Sequence, residues 1–67
     1  MAITLRAARV NANLTQKEAA ELLNISRNTL ASYEKYKTKP DIEFAQKIAS
    51  LYGLTVDGII FLPNNCA

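Results

Sequence analysis

Histidine is absent from this 67-residue chain, and cysteine occurs once, as Cys66. A thiolate–imidazole metal site would lack its ligands, and no disulfide can form within the chain. A lone thiol near the terminus fits a reducing cytoplasm. Only two glycines and two prolines are present, and no Gly-rich phosphate loop. There is no β-branched alternating run of useful length, so an all-α domain is expected. No run of about 18 apolar residues exists, which excludes a membrane-spanning helix of ordinary length. Met1-Ala2-Ile3-Thr4-Leu5 lacks the basic start and long apolar stretch of a signal peptide, so a cytoplasmic location is expected. Without histidine or paired acids in a plausible cleft, an enzyme is not expected, nor is a cofactor. Glu18 and Glu21 read better as a helix cap and a surface residue.

What is present fits one small domain, residues 1–67, with its core over about 3–62 and a tail over 63–67. At 49% hydrophobic and 21% charged residues, the chain is globular rather than disordered. A domain this small buries little surface, and a partner subunit is one source of added stability. Net charge is only +2, but its distribution is uneven. Between Ser26 and Lys39 four basic residues, Arg27, Lys35, Lys37 and Lys39, face one acid, Glu34, leaving −1 for the rest. Such a segment is either a solvated loop or a patch for a polyanion.

The periodicity predicts about five short helices in a compact bundle. The first runs from about Ile3 to Asn11, with Leu5, Ala8 and Arg9 on one side. Thr15 and Glu18 form a T-x-x-E capping box that opens the second. Asn24 closes it, since asparagine tolerates the left-handed conformation. Ile25 is an apolar plug, and Ser26 caps the third helix, which turns Leu30 and Tyr33 inward. Pro40 and Asp41 precede a fourth helix, with Ile42, Ala45, Ile48, Ala49 and Tyr52 on one face and Gly53 as its stop. Thr55 is expected to cap a fifth helix from Val56 to about Leu62, ended by Pro63.

The second and third helices, joined by a tight turn, have the layout of a helix-turn-helix. If Leu30 and Tyr33 face the core, then Arg27, Asn28, Ala31 and Ser32 face outward. Arginine pairs with guanine O6/N7 and asparagine with adenine N6/N7, serine is less selective, and an alanine methyl meets the thymine methyl. Thr15 and Gln16 open the second helix, where a side chain and free backbone N–H groups hold a phosphate. Lys35, Lys37 and Lys39 are placed to hold others. Each residue alone is equally a polar surface; together with the caps and the basic loop they favour DNA.

On Arg9, Leu14-Thr15-Gln16, Ala20, Ile25-Ser26, Tyr33-Glu34, Lys37, Pro40, Ile48-Ala49 and Leu54-Thr55, the segment from Leu5 to Ile60 resembles the phage repressor and Cro-type helix-turn-helix family, with its lambda-repressor-like fold. The resemblance implies that Gln16 contacts a phosphate and braces the first recognition-helix residue. It implies that Arg27, Asn28 and Ser32 read bases and that Lys35, Lys37 and Lys39 lie along the DNA backbone. It also implies a partly buried salt bridge between Arg9 and Glu34, so Arg9 is structural.

Three positions depart from that family. Tyr36 stands where glycine is usual, and a tyrosine at positive φ would be strained, so another loop path is expected. Ala19 replaces a larger apolar residue, and Asn24 a glycine. Ile59 to Leu62 cannot all face one core from a single helix. Ile60, Phe61 and Leu62 therefore form either a dimer contact or a segment tucked against the first and fourth helices. The expected function is a sequence-specific regulator of double-stranded DNA, most simply a phage or bacterial repressor, acting on a palindromic operator as a homodimer and with no small-molecule effector. The alternative is an antitoxin or protein-binding module, with the apolar run as partner surface.

Overall fold

The computed structural model describes residues 2–61. Four α-helices follow one another as α1 (Leu5–Asn11), α2 (Gln16–Leu23), α3 (Arg27–Glu34) and α4 (Ile42–Leu51). A 3₁₀ turn over Val56–Gly58 comes last among the helical elements. Two short strands, β1 (Ile3–Thr4) and β2 (Ile59–Ile60), pair in parallel with Ile3 opposite Ile59 and Thr4 opposite Ile60. No helix among the described residues is long and apolar enough to cross a membrane.

Each α-helix starts on a side chain that satisfies an otherwise unpaired backbone N–H. Thr4 accepts from Ala7, Thr15 from Glu18, Ser26 from Thr29 and Asp41 from Phe44. The Thr15–Glu18 pair closes a full capping box, because the Glu18 carboxylate also accepts from the Thr15 N–H at 2.9 Å. Hydrogen bonding by the Thr15 backbone N–H first, and by its side chain second, holds the Glu18 carboxyl below its ordinary pKa.

All four helices end alike, on a residue in the left-handed region followed by a return bond to the last turn. The residues are Asn13, Asn24, Tyr36 and Gly53, with φ between 59° and 73°. Leu14, Ile25, Lys37 and Leu54 then donate to the carbonyls of Arg9, Ala20, Ser32 and Ala49. This double-bonded C-terminal lock satisfies orphan carbonyls and turns the chain sharply.

The core is small and built around Leu5, Ala8, Ala19, Ala20, Leu23, Leu30, Ile48, Ala49, Tyr52 and Ile59. Alanines at 8, 19, 20 and 49 let short helices approach closely while larger side chains fill the centre. Tyr33 of α3 and Phe44 of α4 pack with ring centroids 6.0 Å apart and tilted, which docks α4 against the back of α3.

Several expectations are corrected. The fifth helix does not form: after the 3₁₀ turn the chain extends as β2, burying Ile59 beside Ile3. Consecutive apolar residues on a helix point around it and cannot share one core, whereas the extended strand buries Ile59 and pairs with β1. Thr55 precedes the turn but makes no side-chain cap bond. α1 starts at Leu5 rather than Ile3, since Ile3 and Thr4 are extended in β1 and Thr4 is the cap. Ile42, the first residue after the Asp41 cap, is 63% exposed rather than core-facing, whereas Phe44 packs partly against the core.

Tyr36 also departs from expectation. It does take the positive φ, at 60°, and the exit of α3 follows the lock shared by the other three helices. Its hydroxyl donates to the Ile60 carbonyl at 3.0 Å, a long-range anchor that offsets the local strain.

Candidate nucleic-acid interface

An open cleft of about 800 Å³ runs between one face of α1, the start of α2 and one stripe of α3. From α1 it takes Arg6, Arg9 and Val10, at i, i+3 and i+4, and from the turn that follows α1 it takes Asn13. From the next segment come Leu14, Thr15, Gln16 and Lys17, from α3 come Arg27, Ala31 and Glu34, and Lys35 joins them from the cap at its end.

The floor of this cleft is a hydrogen-bonded network centred on Glu34. Arg9 Nε donates to Glu34 Oε2 at 2.7 Å, with side chains 10% and 4% exposed. A second nitrogen of Arg9 donates to the Leu14 carbonyl at 2.8 Å. Gln16 Nε2 donates to Glu34 Oε1 at 2.9 Å. One carboxylate thus joins α1, the start of α2 and the end of α3. The guanidinium fork suits this task because its donors are planar and fixed in direction. Ion pairs this deep persist when their remaining polar atoms are satisfied, as they are here.

The network leaves the positive charge of the rim uncompensated. Among the described residues Glu34 is the only acid lining the cleft, and it is already bonded to Arg9 and Gln16. Arg6, Lys17, Arg27 and Lys35 surround it as exposed cations. Among the described residues the Arg9–Glu34 pair is the one salt bridge.

The residues singled out from the sequence divide over this surface. Arg27 and Ala31 line the cleft, while Asn28, exposed, and Ser32, half-buried, lie on the adjoining stripe of α3. Thr15, Gln16 and Lys35 are in the cleft; Lys37 and Lys39 are exposed on the loop beyond it. Ile60 is half-buried in β2 and Phe61 packs partly against the core. Leu62 lies outside the described residues, as does the tail. No group of three His, Cys, Asp or Glu side chains able to hold a metal occurs among the described residues.

Arg6 and Lys17 were missed by the sequence reading. The signal for Arg6 was its spacing of three from Arg9, which puts both on one face of α1. For Lys17 it was adjacency to Gln16 in the first turn of α2.

Four short helices, a tight α2–turn–α3 unit locked by Ile25, and an exposed third helix beside a cationic cleft define a helix-turn-helix domain. The chain belongs to the helix-turn-helix family, whose sequence profile it matches over residues 5–59. It is 43% identical over 56 residues to the HTH-type transcriptional regulator ImmR of Bacillus subtilis, a match covering 84% of this chain and 44% of that protein. An uncharacterised HTH-type transcriptional regulator of Methanocaldococcus jannaschii is 38% identical over 53 residues, 79% of this chain and 80% of that one. The cryptic phage CTXphi transcriptional repressor RstR of Vibrio cholerae is 32% identical over 56 residues, 84% of this chain and 50% of that one. The matched part of the chain therefore spans less than half of ImmR and half of RstR. No solved structure matches the chain.

Proposed function

We propose that this protein is a sequence-specific double-stranded DNA-binding transcriptional regulator, in its simplest form a repressor that acts by occupying its site. The observation that carries this reading is the Glu34 network, which fixes the start of α2 against the end of α3, while every other charged residue lining the cleft among the described residues is a cation. A rigid α2–α3 unit is what a reading helix needs, because base contacts discriminate only when phosphate contacts hold the register.

In this reading α3 enters the major groove. Arg27 pairs with a guanine edge, Asn28 with an adenine edge, Ser32 with either, and the Ala31 methyl meets a thymine methyl. Thr15 and Gln16 hold one phosphate. Gln16 spends one amide N–H on Glu34 and keeps another for that phosphate. Lys35, Lys37 and Lys39 grip the backbone beyond the helix exit. Two of the relatives, a transcriptional regulator and a phage transcriptional repressor, support the same class.

A pair of such domains on a palindrome, acting in the cytoplasm, extends the proposal, with Ile60 and Phe61 as the contact. Selection from a random duplex pool tests the reading: an enriched motif supports it, and a pool without enrichment rejects it.

A further inference from the structure

Three of the four C-terminal locks sit easily on their residues, and the one that ends α3 does not. Asn13 and Asn24 are of the type that tolerates the left-handed region, and Gly53 has no side chain to strain. Leu14 and Ile25, which follow the two asparagines, pack partly against the core. Such an apolar contact commonly accompanies this kind of helix end. At α3 the left-handed residue is Tyr36, and the residue after it is the exposed Lys37. This lock therefore combines a strained residue with no apolar anchor behind it. In place of that anchor the Tyr36 hydroxyl donates to the Ile60 carbonyl of β2 at 3.0 Å.

The segment held by this bond is the basic loop. Lys37 donates to the Ser32 carbonyl at 3.0 Å as part of the lock. Thr38 and Lys39 donate no backbone bond among the described residues, so the loop takes its course from its two ends. At the far end Pro40 biases Lys39 to extended backbone and Asp41 caps α4. At the near end stands the bond between Tyr36 and Ile60.

We infer that Tyr36 is a positioning residue for duplex DNA, whose bond to β2 sets Lys37 and Lys39 in place before the duplex arrives. This rests on the proposal that the protein binds duplex DNA with those lysines on its backbone. Tyr36 touches no DNA in this role. A loop ordered in advance loses less freedom on binding, so the bond adds affinity without adding a contact. It also ties the loop beside α3 to the pairing of Ile3 with Ile59, because that pairing holds the strand that carries the acceptor.

The test compares the full chain with Tyr36→Phe, Tyr36→Asn and Lys37→Gln. Asparagine suits the left-handed turn, as at Asn13 and Asn24, but lacks the reach to Ile60. Amide hydrogen exchange is measured first, on the free proteins. Both Tyr36 variants should exchange the Lys37 amide faster and leave the Ile25 amide of the α2 lock unchanged. Wild-type exchange at Lys37 overturns the inference. Equal acceleration at both amides also overturns it, since the bond would then serve global stability alone. Binding to a selected and a scrambled duplex is next measured across a salt series, at a temperature where every variant is folded. Both Tyr36 variants should bind each duplex about 2- to 12-fold more weakly, the range for ordering one long side chain. Their slope of log affinity against log salt should match wild type, whereas Lys37→Gln should flatten it by about 0.9. Wild-type affinity in both Tyr36 variants, or a loss confined to the selected duplex, overturns the positioning role. A flattened slope in them does so too, because ordering alone leaves each phosphate contact in place. Failure of the wild-type chain to bind any duplex would instead reject the underlying DNA reading, whatever the exchange result.

Discussion

The Tyr36 hydroxyl donates to the Ile60 carbonyl across 3.0 Å, joining the exit of α3 to β2. Tyr36 holds φ at 60°, a conformation that costs a residue with a side chain about 1–2 kcal/mol. The bond reaches 24 residues along the chain and anchors the strained turn to an otherwise minimal strand pair.

Tyr36→Phe keeps the strain and loses the bond. It should lower stability by about 1 kcal/mol, the usual net worth of such a bond. Urea unfolding should show an earlier midpoint with an unchanged slope. An unchanged midpoint would mean that the hydroxyl contributes nothing.

Glu34→Ala strands the Arg9 guanidinium in a nearly closed site, at a cost of about 3–5 kcal/mol. Joint replacement by Arg9→Met and Glu34→Leu removes both charges and should recover much of that loss. A double-mutant cycle reads the coupling directly. Additive costs would show that the pair is not coupled. The joint variant should still bind DNA less well than wild type, because Gln16 loses its brace.

Tyr52 is buried, and its hydroxyl has no hydrogen-bond partner among the described residues. An orphaned buried donor is costly, so Tyr52→Phe should be neutral or stabilising by about 1 kcal/mol. Burial pushes the Tyr52 pKa up to about 12 from 10.0, with Glu34 adding to the rise and Arg9 opposing it. The neutral form is thus favoured in the fold. Stability linked to Tyr52 is present below pH 10 and lost as pH rises towards about 12. Alkaline titration of the three tyrosines by phenolate absorbance should show one ionising late, and that step should be missing in Tyr52→Phe.

The capping box gives the opposite pH dependence. Glu18 is held below its ordinary pKa by hydrogen bonding from the Thr15 backbone N–H first and from its side chain second. Its contribution is complete above the ordinary carboxyl range and is lost as pH falls through the lowered value. Glu18→Gln should therefore flatten the acid side of the stability profile. An acid limb identical to wild type would exclude Glu18 from that transition.

Local signals in the sequence carried the helix-turn-helix itself. Thr15 with Glu18, Ser26 ahead of α3, and Asn24 at the end of α2 are each decided within a few residues, and each stands as expected. What escaped were pairings between distant segments. Ile3 and Ile59 are 56 positions apart, and two-residue strands carry no periodicity to read. Tyr36 looked unfit for a left-handed turn because the group that holds it, the Ile60 carbonyl, lies in another element. Arg6 and Lys17 were overlooked because only folding brings α1 against the start of α2 and the stripe of Arg27 and Ala31.

The central claim is that α3 reads base edges through Arg27 and Asn28. Its most direct test is selection from one random duplex pool with wild type, Arg27→Ala and Asn28→Ala in parallel. Each variant should enrich the wild-type motif with preference relaxed at one base position, a different one for each, at a cost of about 1–3 kcal/mol. Identical motifs from all three proteins would contradict the claim.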